Sequence, residues 1–291
     1  MTTRRASAPA ILLVVAGLAC QEIGASLAVT LFPRVGPLGM VMLRLVFSAV
    51  VLMLIARPSL RGHSRAGWRA VLAFGAVLAL MNGLFYLALV RLPLGVTVTI
   101  EVLGPLVLSI VVAKKATAWL WALLALAGVA ALGGGGWDRL DALGVVFALG
   151  AAASWAFYIL ASARVGREFP KLDGLALAMT VGALLSLPFG IADAGAALLR
   201  LDLVAQGAAV AVLSSTIPYA LELIALRRLP AAVFAILMSL APATAALAGL
   251  VLLQQHLAWL EVVGIALVIA ASVGAVLASS RGAREAAEPI G

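Results

Sequence analysis

Apolar runs of roughly 20 residues, separated by short polar or basic breaks, follow one another along the whole chain. A helix rising about 1.5 Å per residue needs that length to cross a hydrocarbon core about 30 Å thick. Ten such runs can be drawn, at 10–32, 38–56, 68–90, 94–113, 118–136, 143–162, 172–192, 204–226, 231–252 and 258–279. They predict an all-α polytopic membrane protein with ten transmembrane helices. The longest break, Arg57 to Gly67, is still brief, which leaves no room for an extramembrane domain or a nucleotide-binding module in cis. The first run has the basic start of a secretory signal, yet it continues to about Phe32 with Glu22 in its middle. A cleavable apolar region carries no such charge, so this run reads as a retained span.

The pattern is used twice. Asn82–Pro105 (NGLFYLALVRLPLGVTVTIEVLGP) and Tyr219–Pro242 (YALELIALRRLPAAVFAILMSLAP) superimpose at a constant offset of 137 residues. That register sets Arg91-Leu92-Pro93 on Arg228-Leu229-Pro230, Ala88-Leu89 on Ala225-Leu226 and Pro105 on Pro242. Five runs then fall in each half, 1–137 and 138–291. An odd number of crossings inserts the halves in opposite senses, so the expected architecture is two inverted five-helix repeats. Many secondary transporters use this construction to open one central site first to one side and then to the other. A channel needs no such duplication.

Composition agrees with a membrane chain: 65% of the 291 residues are hydrophobic and 11% charged, and mean hydropathy is +1.18. Soluble domains carry about 25% charged residues. The net charge of +8 does not point to nucleic acid, because the basic residues sit in the breaks and form no patch interleaved with aromatics. They report orientation instead. With the N-terminus inside, fifteen of the twenty Lys and Arg fall on the cytoplasmic side and four, Arg34, Arg91, Arg139 and Arg200, on the other. Short cytoplasmic loops are enriched in this way, so both termini are expected in the cytoplasm. Asp138, Asp141, Asp193 and Asp202 read as solvated loop acids, and Gly133–Gly136, which lacks a following Lys-Ser/Thr, as a flexible linker between halves. Cys20 is the single cysteine, so no intramolecular disulfide can form. His63 and His256 stand far apart in the sequence, and no metal-spaced His/Cys set or catalytic cluster is found, so no metal, cofactor or enzymatic activity is expected.

Ionisable groups at membrane depth are costly and therefore face a bundle interior or a cavity. Glu22, Arg44, Glu101 and Glu222 qualify. Glu22 lies beside Gln21 and one turn before Ser26, on a face that serves either a cavity or an inter-helix hydrogen bond. Arg44 and Glu101 lie at similar depth, where they can neutralise each other or engage a zwitterion. Thr97, Glu101 and Pro105 share a face, and Pro105 frees a backbone carbonyl. Ser215, Pro218, Tyr219 and Glu222 form a polar stripe on one helix, with snorkelling of Glu222 to the inner interface as the alternative. Asn82 with Tyr86, and Ser154 with Tyr158 and Ser162, form further stripes. Trp155 beside the last reads as packing or an interfacial anchor in preference to a substrate stack.

QEIGASLAVTLFP, MNGLFYLAL, RLPLGVTVTIEVLGPL, LGAAASWAFYILASARVG and STIPYALELIALRRLP, set in two five-helix halves, resemble the EamA-type branch of the drug/metabolite transporter superfamily. Within it, they look like the bacterial threonine/homoserine exporters. The resemblance spans nearly the whole chain. It implies a multi-pass protein of the bacterial inner membrane, a monomer or weak dimer, that exports small amino acids in exchange for protons. It also implies a substrate site at Gln21, Glu22, Ser26, Arg44, Asn82, Tyr86, Glu101, Tyr158, Tyr219 and Glu222, with Glu22 and Glu101 as proton-coupling groups. Where members often carry Gly-Glu after the ninth span, this chain has Gln254-Gln255-His256, so no carboxylate is available there. Export of another metabolite or a lipophilic drug by the same fold, and a non-transporting membrane scaffold, are the competing readings.

Overall fold

The computed structural model describes residues 8–113, 118–132, 140–226, 228–229 and 231–285. It is all-helical, with no strand among the described residues. In chain order the helices are α1 (Ala8–Val35), α2 (Pro37–Ala56), α3 (Arg65–Leu89), α4 (Leu94–Glu101), α5 (Leu103–Ala113), α6 (Ala118–Leu132) and α7 (Ala142–Glu168). They continue with α8 (Asp173–Ala194), α9 (Leu201–Ala211), α10 (Ile217–Leu226), α11 (Ala231–Met238), α12 (Ala241–Leu253) and α13 (Trp259–Glu285). Eight helical segments among the described residues are long and apolar enough to cross a membrane, and the apolar helices 119–132 and 201–216 are shorter. The chain is thus a multi-pass membrane protein. The expected linker at Gly133–Gly136 lies outside the described residues.

Helix starts follow from local chemistry. Ser64 and Asp141 cap α3 and α7 by accepting the Gly67 and Gly144 N–H groups at 2.9 and 2.7 Å. Pro37 opens α2, where its missing N–H costs nothing. The next two N–H groups of that helix, on Leu38 and Gly39, donate to Asp193 Oδ2 of α8 at 2.8 and 3.2 Å. Asp141 also pairs with Arg91 at 2.9 Å, and Asp202 with Arg200 at 2.8 Å. These acids, expected to be merely solvated, therefore tie helix ends and loops together; Asp138 lies outside the described residues. Gly36 holds the bend before α2 at φ 74, and a Cβ there would collide with the Asp193 carboxylate.

Two runs expected as continuous spans are broken at matching places. α4 stops at Glu101 and resumes after Val102 as α5; α11 stops at Met238 and resumes after Ser239-Leu240 as α12. The same 137-residue offset carries Leu94–Glu101 onto Ala231–Met238. Proline is the cause in both cases: Pro105 and Pro242 have no N–H to give the carbonyls of Glu101 and Met238. A third irregularity lies between α9 and α10, where Val212–Thr216 forms a π turn just before Pro218.

The halves interlock. α2 packs on α8, α3 on α7, α6 on α13, α4 on α12, and α1 on α10 and the π turn. Each principal partner lies in the other half. α1 comes closest where Gly24 meets Ser214, since a Cβ on Gly24 would stand 2.8 Å from the Ser214 Cβ and 2.9 Å from its backbone nitrogen. At the Leu94 end of α4, that residue's N–H donates to the Gln255 Oε1 at 2.9 Å, just beyond the left-handed Gln254 (φ 55) that ends α12.

Candidate functional site

Seven of the ten side chains expected at the site converge on one cavity of about 180 Å³: Gln21, Glu22, Arg44, Asn82, Glu101, Tyr158 and Glu222. They arrive from α1, α2, α3, α4, α7 and α10, so the helix packing of both halves is needed to assemble them. Ala25, Met81, Phe85, Val98, Trp155, Met238 and Ala241 complete the wall. The repeat register runs through this lining. Gln21 and Tyr158, Phe85 and Glu222, and Glu101 and Met238 each stand 137 residues apart, so pairs at this one offset line one chamber. Applying that offset to Glu101 would have found Met238, which its apolar character hid. Trp155, read from the sequence as packing, is part of the wall.

Arg44 is held from several sides. Its Nε donates to Ser215 Oγ at 3.2 Å, one terminal nitrogen to the Tyr86 hydroxyl at 3.4 Å and the other to the Ser214 carbonyl at 3.4 Å. Its guanidinium carbon stands 5.7 Å from the Tyr86 ring centroid. Sequence explains the carbonyl: Pro218 is four residues after Ser214 and cannot supply the helical N–H, so the Ser214 oxygen is left for Arg44. Arg44 acts electrostatically on both Glu22 and Glu101, which also feel each other. With Glu222, four charged groups thus share one small volume, the arrangement by which a site in an apolar medium recognises a charged solute.

Glu22 is 1% exposed, and its Oε2 has no hydrogen-bond partner among the described residues. Ser26, one turn further on, is equally buried with an unpartnered Oγ, but it lies outside the cavity wall. Buried polar atoms are nearly always paired, so an orphaned carboxylate oxygen beside a cavity marks a place for a ligand. Other polar groups are satisfied by their own helix. Thr97 donates to the Pro93 carbonyl, Ser154 to Gly150, Ser162 to Ile159, and the Asn82 amide nitrogen to Leu78. Of the Ser154/Tyr158/Ser162 stripe only Tyr158 reaches the chamber. Tyr86 is fully buried behind Arg44, with its ring 5.4 Å from Phe32, and so supports the site without lining it. The side chain of Tyr219 lies outside the described residues.

Comparison with known proteins agrees with this architecture. The model of the EamA-like transporter family matches residues 142–277. The threonine/homoserine exporter RhtA of Escherichia coli K12 is 38% identical over 271 residues, covering 92% of this chain and 91% of the exporter. RhtA of Salmonella typhimurium SL1344 is 37% identical over 275 residues, covering 94% and 92%. In fold, one solved crystal structure superimposes with a TM-score of 0.63 at 18% identity, covering 96% of this chain and 99% of that one.

Proposed function

Because the chain belongs to the EamA-like transporter family, whose members here are transporters and not enzymes, we propose that it exports small zwitterionic amino acids such as threonine and homoserine from the bacterial cytoplasm. The observation that carries this reading is the chamber itself: Glu22, Arg44, Glu101 and Glu222 gathered around about 180 Å³ inside an apolar helix bundle. Arg44, fixed by Tyr86 and the π turn, faces the substrate carboxylate. The orphaned Glu22 Oε2 and the neighbouring Glu101 receive its ammonium. The relatives named as threonine/homoserine exporters support the choice of solute. The volume does too, since drug-sized ligands occupy about 300–1,000 Å³.

The proposed transport cycle uses two inverted five-helix halves, residues 1–137 and 138–291, which rock about the chamber with both termini in the cytoplasm. The matched breaks at Val102 and Ser239-Leu240 and the lining pairs at 137-residue spacing support the duplication. Proton antiport is part of the proposal. Glu22 and Glu101 hold a proton when the chamber is empty of substrate and release it when the ammonium binds, so an amino acid moves out as a proton moves in.

Inverted membrane vesicles test the whole reading. Labelled threonine should accumulate saturably, homoserine should compete, and collapse of the proton gradient should abolish accumulation while sparing counterflow. The variant Glu22→Gln should lose the gradient-driven component. No saturable flux of either amino acid would end the proposal.

A further inference from the structure

A second, larger cleft lies directly behind the chamber. Its volume is about 390 Å³, and its wall is almost wholly apolar, including Leu106, Ile159, Phe234, Ala235 and Val276. Two side chains, Trp155 and Met238, line both spaces. We propose that Trp155 and Met238 form the partition that sets which amino acids the chamber accepts, and that the apolar cleft behind them, which this pair divides from the chamber, would take large apolar side chains. This rests on the amino-acid reading given above.

The geometry assigns each end of the solute. Of the chamber's charged side chains, Glu22, Arg44 and Glu101 stand on α1, α2 and α4 and Glu222 on α10, so the ammonium and carboxylate are held by those helices, while Trp155 on α7 and Met238 at the end of α11 line both the chamber and the cleft. The substrate side chain then points at that wall. A cavity of about 180 Å³ falls below the roughly 300–1,000 Å³ of pockets that hold drug-sized ligands, so it suits a small solute and leaves little space for a benzyl group as well. The neighbouring space is ample and of the right chemistry for such a group. An indole and a flexible thioether line both spaces, and the thioether is the residue type most able to fill irregular gaps and most easily replaced. Discrimination by an apolar wall amounts to roughly 10–200-fold per methylene, so opening this one should change the ranking of substrates.

Reconstituted protein gives the test. Labelled-threonine counterflow is challenged with unlabelled threonine, homoserine, leucine and phenylalanine, and the half-inhibitory concentration of each is expressed relative to unlabelled threonine. In the native chain, leucine and phenylalanine should compete poorly. Met238→Ala and Trp155→Ala should each lower the relative value for phenylalanine by about tenfold or more, within the range expected for opening an apolar wall. Met238→Ala combined with Ala235→Phe, which refills the cleft, should return it to the native ranking. If Trp155→Ala does not fold, Met238→Ala and its rescue decide the matter. A folded, threonine-transporting Met238→Ala variant with the native ranking overturns the partition. Absence of threonine counterflow in the native protein overturns the amino-acid reading, and with it this inference.

Discussion

Arg44 shows how one side chain can be committed to both scaffold and chamber. Its guanidinium bonds to Ser215, the Ser214 carbonyl and Tyr86 fix its plane while its charge faces Glu22 and Glu101. An ammonium cannot reproduce that planar fork. Arg44→Lys is therefore expected to cut threonine counterflow at least tenfold while the protein still folds, as read by transport beside a melting curve. At this scale much was legible in the sequence. Intramembrane charge is rare enough that Glu22, Arg44, Glu101 and Glu222 announce themselves, and all four line the cavity. Apolar lining residues carry no such signal: Met81, Val98 and Met238 look like any core position until the fold places them. Depth alone could not order the polar groups either. Thr97 and Ser154 fall on promising stripes yet spend their hydroxyls on their own helices.

Among the elements, the irregular ones position the site. Pro105, Pro218 and Pro242 each leave without its helical partner a carbonyl one turn earlier, on Glu101, Ser214 and Met238; Glu101 and Met238 line the chamber, and the Ser214 carbonyl accepts from Arg44. The prolines were visible in the sequence, as was their repetition. The π turn at Val212–Thr216 was not, because one extra residue in a single turn unwinds the helix too briefly to stand out in a short apolar run. Restoring regularity should strengthen the helix and weaken function. Pro218→Ala returns an N–H to the Ser214 carbonyl and removes a defect worth about 3 kcal/mol in a helix interior. The expected outcome is an unchanged or higher melting temperature with threonine transport reduced about tenfold, measured on the same purified sample. A parallel loss of both would show that the irregularity serves packing instead.

Across the whole molecule, the halves are entwined and not merely adjacent, since α2, α3, α4 and α6 find their main partners in α8, α7, α12 and α13. Residues 1–137 and 138–291 expressed separately should each be degraded, and co-expression should restore a folded complex, as read by immunoblot and size exclusion. The loop ties are electrostatic as well. The Gly144 N–H, together with the Arg91 guanidinium, holds the Asp141 carboxyl below its usual range. A depressed folded-state value means the contribution is complete above the ordinary carboxylate pKa of about 3.9 and fades only as pH falls through the lower one. Asp141→Ala should therefore melt earlier by a similar margin at pH 7 and pH 5, with the gap closing only in stronger acid. The tie at the start of α4 behaves otherwise. Gln255 ends in a primary amide, which unlike a carboxylate does not titrate at any acidity a cell survives. The grip of the residue just beyond α12 on the first peptide of α4 is thus the same in sour and neutral media, and whatever the environment's acidity does to this transporter it must do elsewhere.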